Sequence, residues 1–377
     1  MKRALVIGAG NGGAVTANNL AKLGLEVVVI EPKDYHLYQP GIVDYVFGEV
    51  GEDDIVKPLS EVLDRRVNWL KDRAVKVDPA NRKVVTSSGK ELTYDYLVLA
   101  PGVKNSPSPV PSWHSLEEAR QIKELVSRTN PKRIIVAYKA PIKCPAAPFE
   151  FSFMLRKAFP EADIKLLNPV ANPSEVQRPM AEILGRMAKQ NGIEVIRGAK
   201  VQEVDLERKT VKTEDKVYEF DLLLFDSPIK VSEEFGNLVD ESGFIPVDKT
   251  SMRLKGYDDV YVIGDATNIM TPPKTGAFAH FSSDHVVKRI KHDLFGNVRV
   301  EPFDGRAMCA VYSSHNDGAF IFMNYERSLA LGPSRIFFHV KRLFTSLYWP
   351  SLWGHFDRYI DLAGEHFTEK LRAQAKA

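Results

Sequence analysis

Cysteine is scarce in this chain: 377 residues carry two, Cys144 and Cys309. Two thiols, 165 positions apart, exclude a disulfide-dense secreted scaffold and a four-thiolate zinc or iron–sulfur centre. An excess of one charge is also missing. With 51 Lys and Arg against 49 Asp and Glu, the balance of +2 argues against a dedicated nucleic-acid binder. No run of about 18 apolar residues occurs, so no bilayer-spanning helix is expected. The apolar run at residues 4–7 is too short for a signal-peptide core, so a cytoplasmic chain is expected. What remains is 44% hydrophobic and 27% charged, the balance of a globular protein, with length for two to three domains.

Residues 4–7 read as a short buried strand. Gly8-Ala9-Gly10-Asn11-Gly12-Gly13 follows and fits G-x-G-x-x-G. Residues 14–23 then read as a helix stopped by Gly24, and residues 25–30 as a second strand ending at Glu31. This order suits a dinucleotide. Gly8 permits the tight turn, Gly10 lets backbone approach a pyrophosphate, and Gly13 lets helix lie close to strand. The helix N-terminus attracts the phosphates. Glu31, 18 residues past Gly13, can accept hydrogen bonds from a ribose and disfavours a 2′-phosphate. Two later segments read as buried strands ending in small-residue turns: residues 94–102, closing on Ala100-Pro101-Gly102, and residues 260–266, containing Gly264-Asp265. With the first fingerprint they resemble the two-dinucleotide-binding-domain flavoproteins. That resemblance implies FAD, with Asp265 on its ribityl chain and the Ala100-Pro101-Gly102 turn beside it.

A second glycine-rich turn, needed for NADH, is missing. The matching strand, residues 132–137, runs into Tyr138, Pro141, Pro145 and Pro148, and no glycine occurs from 103 through 184. Backbone amides cannot close on a pyrophosphate there, which argues against a nicotinamide donor. Cys144 stands in its place, within Lys143-Cys144-Pro145-Ala146-Ala147-Pro148-Phe149-Glu150-Phe151. A cysteine just before a helix has its thiolate favoured by the helix N-terminus and, here, by neighbouring Lys143 and Lys139. Pro145 and Pro148 suit the first turn of a helix over 149–159. Glu150, six residues on, is a candidate proton acceptor. A buried inert thiol and a solvated helix carboxylate are the plainer uses of these two residues.

The cysteine segment, Gly264-Asp265, Pro273-Lys274-Thr275-Gly276-Ala277-Phe278-Ala279-His280 and Met308-Cys309-Ala310-Val311-Tyr312 together resemble the sulfide:quinone oxidoreductase and flavocytochrome c sulfide dehydrogenase flavoproteins. The resemblance implies that Cys144 and Cys309 meet over the flavin as a disulfide or sulfur-bridged pair. Hydrosulfide opens the pair, a persulfide forms, Cys309 hands two electrons to the flavin, and further sulfide extends a polysulfide. Such exchange needs a low thiol pKa and access. Lys274 is expected to set positive charge at the flavin's pyrimidine edge. The cofactor-binding set is then Gly8, Ala9, Gly10, Asn11, Gly13, Glu31, Val75, Ala100, Pro101, Gly102, Gly264, Asp265, Lys274, Thr275 and Gly276; the catalytic set is Cys144, Cys309 and Glu150. A quinone is the implied acceptor, with a cytochrome acceptor or an NADH:quinone oxidoreductase on the same fold as alternatives. Most quinone-linked relatives carry a third cysteine before the central strand; residues 107–114 have none. With both cysteines in the redox pair, FAD is expected to be non-covalent. His114 lies near the relatives' helper histidine, at a spacing that assigns it no role.

The tail is rich in aromatics. At 3.6 residues per turn, Ile336, Phe337, Val340, Leu343, Phe344, Leu347 and Tyr348 share one face, and His339, Lys341, Arg342, Thr345 and Ser346 the other. Such a helix suits a membrane surface and an apolar, ring-shaped acceptor; packing on the body is its other use. The expected architecture is α/β: two interleaved Rossmann-like dinucleotide-binding-type domains with a C-terminal amphipathic helical region. Residues 1–105 and 240–310 would bind FAD. Residues 106–239 would carry Cys144, with strands at 132–137, 163–168, 193–197 and 220–226. Residues 311–377 would contact quinone and membrane. The expectation is a cytoplasmic, peripherally membrane-associated, homo-oligomeric enzyme acting on sulfide and polysulfide, with no metal and no nucleic-acid partner.

Overall fold

A computed structural model describes residues 1–374; the last three residues of the 311–377 region lie outside it. Two parallel sheets form its centre. In the first, Arg3–Ile7 lies between Glu26–Ile30 and Tyr96–Leu99, with Asn68–Leu70 and Val260–Val262 at the edges. Helices cover parallel strands on both faces, so their sequences are continuously apolar rather than alternating. Ala4, Leu5, Val6, Leu97, Val98 and Leu99 are accordingly fully buried.

The second sheet has the order Glu194–Arg197, Asp163–Asn168, Arg133–Tyr138, Leu222–Asp226. Its strand ends fall within two residues of the sequence reading. Each sheet is accompanied by a three-stranded antiparallel ribbon: Ala74–Asp78, Lys83–Thr86 and Glu91–Thr93 for the first, Val201–Asp205, Thr210–Thr213 and Val217–Glu219 for the second. One plan is thus used twice. The chain leaves the first sheet after Tyr96–Leu99, builds the second, and returns as Val260–Val262.

Past the long helix Gly276–Phe295, a third sheet of Ala307–Tyr312, Gly318–Met323 and Ser328–Ser334 carries Cys309. The helices Arg335–Ser351 and Asp357–Gln374 end the described chain. Among the described residues no helix is long and apolar enough to cross a membrane.

The helix Arg335–Ser351 is turned differently from its sequence reading. Lys341, placed on the polar face, is its buried residue at 5% exposure. Ile336 and Leu343, placed on the apolar face, are 71% and 56% exposed. Contacts explain the reversal. Phe337 stacks on Phe320 of the third sheet, Phe338 packs on Tyr312, and Lys341 enters the body to meet a carboxylate. The outward face mixes Ile336, Leu343 and Phe344 with Arg335, His339 and Arg342.

Candidate active site

Open α/β sheets bind ligands beyond the carboxyl ends of their strands. Gly8 follows Arg3–Ile7, Glu31 follows Glu26–Ile30, Ala100 follows Tyr96–Leu99, and Gly264 follows Val260–Val262. The glycine turn is sterically fixed. Gly8 has φ +94°, and a Cβ there would lie 2.2 Å from the Ala100 carbonyl oxygen; one on Gly13 would lie 2.0 Å from that of Gly8. A Cβ on Gly10 meets nothing within 4 Å, so open space stands over the loop. Glu31 braces the turn, accepting the Ala9 N–H at 3.0 Å and the Lys33 N–H at 2.9 Å.

The segments around this space leave polar atoms unsatisfied. The Asp265 Oδ1 and Asn11 Oδ1 oxygens are buried without a protein partner, while Asn11 Nδ2 donates to the Gly276 carbonyl at 3.0 Å. Buried polar atoms are normally paired, so these two point to a ligand. Thr275 caps the helix Gly276–Phe295 by accepting the Phe278 N–H at 3.1 Å. Lys274 is 3% exposed; its ammonium donates to the Thr267 and Ile269 carbonyls at 2.7 and 3.2 Å and lies over the Phe244 ring. Burial pulls its pKa down to about 8, against the pull of Asp265. Gly102 has φ +64° in the turn after Ala100 and Pro101, and the Val75 side chain, in the first ribbon, is 37% exposed.

The fold brings the two cysteines together. The Cys144 N–H donates to the Lys274 carbonyl at 2.7 Å, and the Cys144 backbone is left-handed at φ +42°, a strained conformation for a residue with a side chain. Both thiols are free, and they share a hydrogen bond. That bond pulls the Cys144 pKa below the usual thiol value against the cost of burial, and it drives that of Cys309 well up. The Ala146 amide at the start of the helix Ala147–Ala158 adds to the lowering, as the helix-terminus argument requires. The cation that acts on the thiol is Lys341 of the tail rather than neighbouring Lys143 and Lys139, with Glu150 opposing it, and Lys139 instead reaches the Gln202 carbonyl at 3.3 Å. An apolar cavity opens at the pair, lined by Pro145, Met180, Pro273, Met308, Ile321 and Met323.

Glu150 is buried rather than solvated, and its partner is Lys341. Both carboxylate oxygens accept from Lys341 Nζ, at 2.8 and 2.9 Å, and one accepts the Tyr312 N–H at 3.2 Å. Burial pushes the carboxyl up and Lys341 opposes it; the two-point contact makes this an ion pair. Burial also disfavours the Lys341 charge, yet Glu150 and Asp44 hold its pKa well above the usual value. The tail supplies more. His36 Nδ1 bonds the Ala9 carbonyl at 2.9 Å and its Nε2 bonds the Tyr348 hydroxyl at 2.6 Å; burial lowers its pKa to about 4 and keeps it neutral. Tyr38 packs on Tyr348, ring centroids 4.3 Å apart. Asp44, His36, Tyr38 and Lys341 were missed by sequence reasoning. One signal was available for Lys341: residues 335–351 contain no acid, so any partner had to come from elsewhere. His114 pairs with Asp226, Nε2 to Oδ2 at 2.9 Å, at the end of Leu222–Asp226. In place of a second glycine turn, the Tyr138 hydroxyl donates to Asn168 Oδ1 at 2.7 Å.

Residues 2–283 match the family described as pyridine nucleotide-disulphide oxidoreductase. The chain belongs to that family. It is a flavin-dependent oxidoreductase in kind. Its resemblance to sulfide:quinone oxidoreductases extends over most of the sequence: the mitochondrial sulfide:quinone oxidoreductase of Dictyostelium discoideum is 24% identical, over 92% of this chain and 85% of that one. The sulfide-quinone reductase of Aquifex aeolicus is 30% identical over 45% of this chain and 42% of its own length. The crystal structure of the Aquifex aeolicus sulfide:quinone oxidoreductase shares the fold, with a TM-score of 0.82, 20% identity, and coverage of 94% of this chain and 92% of that one.

Proposed function

We propose that this chain binds FAD non-covalently, oxidises sulfide to polysulfide sulfur through Cys144 and Cys309, and passes the electrons to a quinone. The observation that carries the reading is the thiol pair itself: two free cysteines, far apart in sequence, line one apolar cavity.

The residues present fit FAD. Gly8, Gly10, Gly13 and the helix behind them would hold a pyrophosphate, and Glu31 a ribose. The unpartnered Asp265 and Asn11 oxygens would take hydroxyl donors. The Lys274 ammonium would favour negative charge on the ring system. When bound, FAD supplies a two-electron acceptor. Both cysteines are occupied with each other, so neither is a tether.

The thiols do exchange chemistry. On an oxidised Cys144–Cys309 pair, hydrosulfide attack forms one S–S bond and breaks another, leaving a persulfide on one cysteine and a thiolate on the other. Partner hydrogen bonding favours the thiolate form at Cys144 against burial, while Glu150 and Lys341 act on it in opposite directions. The methionine-lined cavity is soft and apolar, which suits zero-valent sulfur. Tyr38, Tyr348 and the Glu150–Lys341 pair offer an aromatic wall and a proton source for a quinone. The outward Ile336, Leu343 and Phe344, set among Arg335 and Arg342, suit a peripheral contact with a membrane surface. The division into residues 1–105 with 240–310, 106–239 and 311–377 would give the first part the cofactor and Cys309, the second Cys144, and the third the acceptor.

The purified protein should show flavin absorbance that sulfide bleaches and a quinone restores. Bleaching by NADH at a matching rate, with none by sulfide, would overturn the reading. Gly8→Ala should yield folded protein with most of its flavin lost, because the added carbon strikes the Ala100 carbonyl and removes the left-handed turn. Flavin per protein, read by absorbance, checks this.

A further inference from the structure

The Glu150–Lys341 ion pair has a third member that the mechanism above does not use. Asp44, in the short helix Ile42–Val46, is 5% exposed, and its Oδ1 has no hydrogen-bond partner. A buried, unpaired carboxylate oxygen is costly unless the group is neutral or exchanges protons. The Asp44 helix packs on the helix Ala147–Ala158 that carries Glu150. The charges acting on Asp44 are Lys341 and Glu150, both buried, and Glu49 and Arg342, both exposed.

We infer that Asp44 is the proton-exchange group that reloads the Glu150–Lys341 pair from water during acceptor reduction. The inference rests on the proposed reaction. Hydrosulfide gives up two electrons and one proton as its sulfur goes to the zero-valent state. A quinone takes two electrons and two protons, so one proton per turnover must come from solvent. Asp44 as a carboxylic acid passes its proton to the Glu150–Lys341 pair and regains one from water; no side chain changes oxidation state. Asp44 acts through Lys341 rather than on the substrate.

The local charges permit this. Lys341 is one cation facing two buried carboxyls, and Glu150 already holds it with two oxygens. Burial therefore pushes Asp44 up to about 7, with Lys341 opposing. Most of the other groups around this helix are engaged or neutral. Tyr38 is held protonated by burial. Glu49 pairs with Lys157, Lys123 lies over the Tyr45 ring, and Arg120 pairs with Glu52 on the neighbouring helix Glu52–Ile55, which also carries Asp53 and Asp54. A group with a pKa near 7 is protonated below that pH and loses the proton above it, so acceptor reduction should weaken as pH rises through 7.

The test separates two half-reactions in the flavin-loaded protein, wild type against Asp44→Asn. Sulfide bleaching should be equal in both. Quinone-driven recolouring should fall by about tenfold per pH unit above 7 in wild type. In Asp44→Asn it should be about tenfold or more slower at pH 6 and flat from about pH 6 to 8. Asp44→Glu should restore the sloping limb. An infrared titration gives a readout without turnover: a protonated-carboxyl C=O band lost between about pH 6 and 8 in wild type should be absent in Asp44→Asn. A variant that recolours at the wild-type rate with the wild-type limb overturns the inference, as does an unchanged infrared band. If wild type is not bleached by sulfide, the proposed function fails instead, and the infrared result alone decides whether Asp44 exchanges its proton near neutrality.

Discussion

Serine in place of Cys144 or Cys309 should slow sulfide-driven flavin reduction on the order of a thousandfold or more. A hydroxyl cannot form the sulfur–sulfur bond that exchange requires, so each variant removes the reaction rather than weakening it. Removing either partner should also shift the titration of the other. With Cys309→Ala, Cys144 loses the hydrogen bond that lowers its pKa, and its alkylation at neutral pH should slow. With Cys144→Ser, Cys309 loses the neighbour that raises its pKa, and its alkylation should quicken. Rapid mixing with sulfide, at matched flavin content, measures the first effect, and alkylation rate against pH the second. Wild-type bleaching in both variants would sink the thiol relay.

The second large effect concerns stability. Lys341→Met leaves Glu150 buried with its charge uncompensated, and losing one partner of a buried pair costs about 3–5 kcal/mol. Replacing both, as Lys341→Met with Glu150→Leu, removes the charge as well and should recover most of that loss. Denaturant unfolding of the single and double variants measures the coupling. A single variant as stable as wild type would mean that the pair is open to water. The double variant should keep its flavin and its sulfide bleaching while reducing quinone poorly, which separates the pair's structural part from its proposed proton-supplying part.

The sequence made the first sheet legible because each piece is local. A four-residue apolar strand, three glycines and a terminal acid lie within residues 4–31 and need no distant partner to be interpreted. The second sheet was legible for a similar reason, since its strands are short apolar runs between polar turns. Cys144 was visible as an anomaly, a thiol where a glycine turn was due. The surroundings of the thiols were not visible. The charges acting on Cys144 are Glu150 and a lysine nearly 200 positions later, and hydrophobic periodicity counts every lysine as solvent-facing. Periodicity ranks residues by affinity for water, and a carboxylate waiting at the buried end overrides it. Asp44 was hidden in the same way: its neighbours Tyr38, Glu150 and Lys341 belong to three separate stretches of chain.

His36 joins the Ala9 carbonyl of the glycine turn to the Tyr348 hydroxyl of the tail helix, and Lys341 of that helix neutralises Glu150 beside the thiols. The tail is therefore no detachable anchor. Trimming the chain before Arg335, the obvious way to make such a protein easier to handle in water, would strip the thiol site of its cation and the cofactor loop of its brace. A shortened protein that fails to turn over would say nothing about membranes.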